Sequence, residues 1–178
     1  KMDYKMKDIT FNLHYANTLG AFAIRLITRS GKLHHGSVTL EGKTYESKVS
    51  PLKGFHSHWA RPTDCISTTI KVPIKVYDEY KKYLDFYSRK KSLDLYFLEI
   101  EVPTTKYDYK SLLGFLSNSN KQKQKAFNCI EPLNYFFELV AKFNNEDYKE
   151  WQTTNISPKD FMNRLKFYEL GRKISNEQ

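Results

Sequence analysis

Apolar and polar positions alternate through residues 8–14 (DITFNLH), the period of a strand with one buried face. Residues 19–28 (LGAFAIRLIT) gather Phe22, Ile24, Leu26 and Ile27 around one Arg25 and predict a short helix, with Gly31 as its cap. Residues 35–40 and 43–48 flank Glu41-Gly42, a two-residue turn pair, and predict a hairpin. Residues 49–64 hold Pro51, Gly54 and Pro62 and read as a loop carrying His56, His58 and Trp59. Residues 66–72 are β-rich. Residues 77–90 place Tyr80, Tyr83, Leu84 and Tyr87 on one helical stripe. Residues 93–102 (LDLYFLEIEV) read as one strand closed by Pro103. A short helix is expected at 108–117 and a polar loop at 118–127. The best helix is 129–143, where Leu133, Phe136, Phe137 and Val140 keep the i, i+3, i+4, i+7 spacing. Ser157-Pro158-Lys159-Asp160 opens a last helix: a Ser cap, Pro at the first position, an acid at the third.

Helices and hairpins follow one another without regular βαβ alternation, which argues an α+β fold with a mostly antiparallel sheet. No repeat, low-complexity tract or linker divides the chain, so 1–178 is read as a single domain. Hydrophobic residues make up 40% and aromatics 15%, enough for a sizeable core, and this excludes a disordered chain. The formal net charge of +9 favours polyanionic partners. The lysines are scattered, and their densest group, Lys121 to Lys125, reads as a solvated loop. No apolar run is long enough to span a membrane, and the first residues (KMDYKMKDITF) carry no signal-peptide pattern. Two cysteines, Cys65 and Cys129, make no disulfide framework and suit a reducing compartment. A cytoplasmic location is the expectation.

Cys129 stands at the start of the strongest helix, just after Asn128, a good N-cap. A helix start stabilises a thiolate and an adjacent oxyanion through its unpaired N–H groups. The same position also suits an inert, half-buried cysteine. A nucleophilic thiol needs a base. With Glu41-Gly42 as the turn, Leu40 pairs with Lys43, Val38 with Tyr45 and Ser37 with Glu46. Glu46 then shares a face with His35, one diagonal step away, where a carboxylate can orient the imidazole. The alternative is a solvated hairpin face with an incidental His and Glu. His56 and His58 form an H-x-H pair, but no third metal ligand is placed, so a loop packed by Trp59 is preferred. Cys65, at a strand start, reads as structural. Tyr107-Asp108-Tyr109 is either a substrate wall or an aromatic turn.

Together AIRLITRSGKLHHGSVTLEGKTYES, the following Gly54-Phe55, KYDYKSLLGFL, AFNCIEPLNYFFELV and SPKDFMNRL resemble, in this order, the circularly permuted NlpC-type papain-like cysteine hydrolases. In that family the His strand precedes the Cys helix. The resemblance covers most of the chain. It implies a permuted papain-like fold, a mostly antiparallel sheet packed against helices with the nucleophile at a helix N-terminus. It further implies Cys129 as nucleophile, His35 as general base and Glu46 as the residue orienting it. Tyr107 would border the site, with Asn128 and Ser37 on the substrate and oxyanion side. No cofactor and no metal is implied. The expected activity is an amidase, peptidase or thiol acyl-hydrolase working through an acyl-enzyme. Its substrate would be a peptide, isopeptide or acyl group on an anionic carrier such as cell wall, lipid or a protein conjugate. Departures from the pattern are Ile130 and Pro132 after the cysteine and Gly36 after the histidine. They motivate the alternative of an inactive binding or inhibitory module on the same fold. A basic nucleic-acid-binding protein is the remaining alternative, disfavoured because no reader motif is present.

Overall fold

The computed structural model describes residues 5–15, 17–50, 53–95, 98–107, 126–151 and 156–176. In chain order it contains β1 (Met6–His14), α1 (Leu19–Thr28), β2 (His35–Leu40), β3 (Lys43–Ser50), β4 (Lys53–His58) and β5 (Cys65–Pro73). There follow α2 (Ile74–Tyr87), β6 (Lys90–Leu95), β7 (Leu98–Pro103), β8 (Lys106–Tyr107), β9 (Ala126–Phe127), α3 (Glu131–Phe143), a 3-10 turn at Tyr148–Trp151 and α4 (Pro158–Asn176). The architecture is α+β. A seven-stranded sheet runs β5-β1-β2-β3-β4-β8-β9, and β6 and β7 form a separate two-stranded ribbon. Every pair is antiparallel except β8 with β9.

The β2–β3 turn sets the register on which the site depends. Glu41 (φ 49°) and Gly42 (φ 83°) are both left-handed, as the tightest two-residue hairpins require. Leu40 therefore pairs with Lys43, Val38 with Tyr45 and Ser37 with Glu46, as the sequence predicts. One face of the sheet carries Ile9, Phe11, Leu13, Val38, Leu40, Tyr45, Phe55, Ile70 and Val72, and α2, α3 and α4 cover it. The Phe11 ring lies 5.3 Å from both Phe136 and Phe161, so strand and helices meet through aromatic contacts. Each such side chain contributes about 1.5–3 kcal/mol by leaving water. Tyr45 is fully buried, yet its hydroxyl escapes to the rim and donates to Asp85 Oδ1 at 2.7 Å.

Several expectations are corrected. Lys53–His58 is a strand, where a loop is predicted. Its alternation is masked by a glycine and two histidines, but Phe55 fills the core and Gly54 lies against the chain. A Cβ at Gly54 would come within 2.1 Å of the Thr105 carbonyl oxygen. Trp59 does not pack the following loop, since it is 73% exposed. Residues 93–102 are not one strand. Lys90–Leu95 and Leu98–Pro103 pair with each other in a hairpin that no Gly, Pro, Asn or Asp announces. Helix α2 lies three residues earlier than predicted, because Pro73 is its N-cap and Ser88 ends it. Arg29 (φ 52°), rather than Gly31, is the left-handed C-cap of α1. Ala126-Phe127, predicted as loop, is β9. The helix expected at 108–117 and the Lys121 to Lys125 group lie outside the described residues. No helix among the described residues is long and apolar enough to cross a membrane.

Candidate functional site

The other face of the sheet is polar, and the register lays its side chains out in rows. One row runs Ser67, Asn12, Ser37, Glu46, His56, and the row beside it Thr69, Thr10, Thr39, Thr44, His58. Hydrogen bonds stitch the rows together. Ser67 Oγ donates to Asn12 Oδ1 at 2.7 Å, and Asn12 Nδ2 donates to Thr39 Oγ1 at 3.0 Å and Ser37 Oγ at 3.3 Å. The 59–64 connection crosses this face: Thr44 donates to the Ala60 carbonyl and His14 Nδ1 to the Thr63 carbonyl.

His35 opens β2 at the edge of this polar field. Its Nε2 donates to Glu46 Oε2 at 2.8 Å, which leaves Nδ1 free of that carboxylate, and Cys129 is near enough to raise the His35 pKa. Burial alone pulls the His35 imidazole below its ordinary value. The bonds to Cys129 and Glu46, and their charges, outweigh that and push its pKa up to about 9. Burial likewise works against the Glu46 carboxylate, but His35 and Lys48 hold it well below the usual carboxylate range. Glu46 is 3% exposed: Oε2 accepts from His35, Oε1 accepts from His58 (2.7 Å) and pairs with Lys48 (2.6 Å), and His56 Nε2 lies 3.7 Å from Oε1.

Cys129 is placed from the other side of the sheet. Asn128 Oδ1 accepts from the N–H groups of Ile130 (2.8 Å) and Glu131 (2.9 Å), and Glu131 Oε2 accepts from the Asn128 N–H at 2.8 Å. This reciprocal capping box fixes the turn that carries the thiol. Regular helix bonding starts just after it: Asn134 N–H reaches the Ile130 carbonyl, and α3 begins at Glu131 rather than at Cys129. Pro132 is tolerated in this first turn, and its carbonyl accepts from the Tyr80 hydroxyl at 2.9 Å. Gly36 explains how the helix comes so close to His35. A Cβ there would stand 2.7 Å from Ile130 Cδ1 and 2.8 Å from Leu133 Cδ2, and 3.6 Å from the Cys129 carbonyl oxygen. The glycine that departs from the expected pattern is therefore the seat of the cysteine turn.

Three of the six expected site residues, Cys129, His35 and Glu46, come together. Asn128 and Ser37 are both buried, and Ser37 lines the cleft on the polar face. Asn128 is the cap, and the Ser37 hydroxyl donates to His14 Nε2 at 2.9 Å. Tyr107 is buried at the end of β8 and pairs with Phe127, two residues before Cys129. A cleft of about 320 Å³ opens on the polar face, lined by His14, His35, Glu46, Lys48, His58 and Arg61 among others, and Cys129 is not among its lining residues. Sequence reasoning missed His14, whose ring lies 5.1 Å from that of His35. Burial, then the neighbouring His35, brings the His14 pKa down to about 4. It also missed the approach of His56 and His58 to Glu46. Reading 53–58 as a strand would have revealed it, because the Glu46–His56 pairing follows directly from the register. Comparison with protein-family models, curated proteins and solved structures finds no match.

Proposed function

We propose that the protein is a cysteine hydrolase of permuted papain-like design, with Cys129 as nucleophile, His35 as base and Glu46 as the residue that orients His35. One observation carries the reading: the cysteine turn rests on Gly36, the neighbour of His35, whose imidazole donates to Glu46, so a strand start and a helix cap far apart in the chain meet. The Cys129 thiol gives its proton to His35 Nδ1. The sulfur attacks an amide, ester or thioester carbonyl, and the Cys129 N–H helps hold the oxyanion. As the tetrahedral adduct collapses, His35 returns the proton to the leaving nitrogen, oxygen or sulfur. Water, deprotonated by His35, then releases the acyl group as a carboxylic acid. Glu46, held ionised, supports the imidazolium throughout. The net charge of +9 supports an acyl donor carried on an anionic molecule. Both cysteines are free, which supports a reducing compartment such as the cytoplasm.

A second reading has its own support. Cys129 is 7% exposed and stands away from the cleft, as expected of a binding module that keeps the fold without turnover. Iodoacetamide labelling across pH separates the two, with mass spectrometry reporting Cys129 and Cys65 individually in wild type, His35→Ala and Glu46→Gln. The hydrolase predicts a Cys129 midpoint well below the about 8.5 of free cysteine, shifted up in both variants. A Cys129 that reacts no faster than Cys65, or ignores His35, sinks the hydrolase and leaves the module.

A further inference from the structure

The hydrolase reading uses two of the polar groups that converge on this face and leaves His56 and His58 without a role. These two stand at alternate positions of β4, so both rings project to the same side, with centroids 5.7 Å apart. Both aim Nε2 at one oxygen, Glu46 Oε1, at 3.7 Å and 2.7 Å, while Oε2 belongs to His35. His56 Nδ1 donates to the Gly54 carbonyl at 2.9 Å. That bond keeps the proton on Nδ1 and turns the Nε2 lone pair toward a carboxylate to which it makes no hydrogen bond. Two electron-rich atoms facing each other with no proton between them call for a cation. A backbone carbonyl on the far nitrogen is also the support that metal-ligating histidines use. The ligand atoms of Glu46, His56 and His58 all lie within 4.8 Å of one another, so side-chain shifts of about 1 Å bring them to the roughly 3.4 Å separation that bonds of about 2.0–2.2 Å to one tetrahedral ion require.

We propose that Glu46 Oε1, His56 Nε2 and His58 Nε2 form a binding site for a divalent transition metal of the zinc class, with a fourth position open to the cleft. Imidazole and carboxylate are the donor types such ions take in open, three-ligand sites. The ion takes the place of the Lys48 ammonium, which lies 2.6 Å from Oε1 on a side chain 46% exposed and can swing into water. The proton that His58 Nε2 donates to Glu46 moves to His58 Nδ1, a buried atom without a partner. A rival set, His14, His35 and Glu46, has its ligand atoms within the same distance. Its members are spent, because His14 Nε2 accepts from Ser37 and His35 lies between Glu46 and Cys129. The proposal does not rest on the hydrolase reading, since the ion uses the oxygen that His35 leaves open.

Cobalt(II) titration of the full chain carrying Cys65→Ser and Cys129→Ser tests it, because thiols cannot then hold the metal. The site predicts saturable visible bands at one ion per chain, bleached by zinc. His56→Ala and His58→Ala each weaken binding by about tenfold or more. Lys48→Met, on an exposed side chain, tightens it. Absence of a saturable spectrum overturns the proposal. So does an affinity unchanged in both histidine variants, provided circular dichroism shows them folded, or one indifferent to Lys48→Met.

Discussion

Replacing Gly36 by alanine adds one methyl group at the place where the cysteine turn rests on the histidine strand. Gly36 has no positive φ, so the backbone accepts alanine, and the cost is steric. The new carbon would lie 2.7 Å from Ile130 Cδ1 and 2.8 Å from Leu133 Cδ2, against a relaxed carbon–carbon distance of about 3.5–4.0 Å. Ile130 is 1% exposed and Leu133 0%, so neither can swing into solvent, and the first turn of α3 has to lift. Overpacking of this kind costs about 1–3 kcal/mol. Loss of glycine's freedom in the unfolded chain returns about 0.4–1 kcal/mol. The expected net loss is about 1–2 kcal/mol in urea unfolding, with slower alkylation of Cys129 at neutral pH because the lift separates it from His35. Ile130→Val deletes the Cδ1 that the methyl strikes, so the double variant recovers about 0.5 kcal/mol or more relative to additivity. A Gly36→Ala protein as stable as wild type, with Cys129 equally reactive, contradicts a cysteine turn seated on Gly36.

Asn128→Ala removes the acceptor for two N–H groups of the cysteine turn and costs about 1–2 kcal/mol by urea unfolding; a loss below about 0.5 kcal/mol contradicts the capping box. Tyr45→Phe deletes the donor to Asp85 and costs about 1 kcal/mol, and it raises the Asp85 pKa from its present value of about 2, read by carboxyl NMR titration. Stability in the presence of chelator should peak near pH 6.5. His14, depressed to about 4 when folded, gives stability that is present above 6.5 and lost as pH falls toward 4. His35, raised to about 9, gives stability that is present below 6.5 and lost as pH rises toward 9. Each limb is worth at most about 3 kcal/mol; His14→Gln should flatten the acid limb and His35→Ala the alkaline one, and a monotonic profile contradicts both assignments.

The hairpin was legible because its turn is encoded locally. Glu41-Gly42 fixes the register, and the register alone puts Glu46 on the same face as His35. The α3 helix was legible from its apolar spacing, and its cap from Asn128. What escaped was decided between distant segments. Gly36 looks like a weak strand residue until Ile130 and Leu133 are seen packed on it. Lys53–His58 looks like a loop because its polar residues face other polar residues across the sheet, and only Phe55 reports a core. No Gly, Pro or Asn separates β6 from β7 in the sequence, so an unbroken β-prone run concealed two paired strands. Ser37 lines the cleft while its hydroxyl donates to His14, a partnership that only the packed sheet reveals.

In the proposed hydrolase, Cys129, activated by His35, carries an acyl group through catalysis. The most direct measurement is intact-protein and peptide mass spectrometry after rapid mixing with p-nitrophenyl acetate, alongside release of p-nitrophenol over time. A Cys129–His35 hydrolase gives a burst followed by turnover, with one acetyl group transiently on Cys129 in wild type and none there in Cys129→Ser or His35→Ala. An acetyl group that appears on Cys65 or lysines alone, or that stays on Cys129 without turnover and regardless of His35, contradicts it.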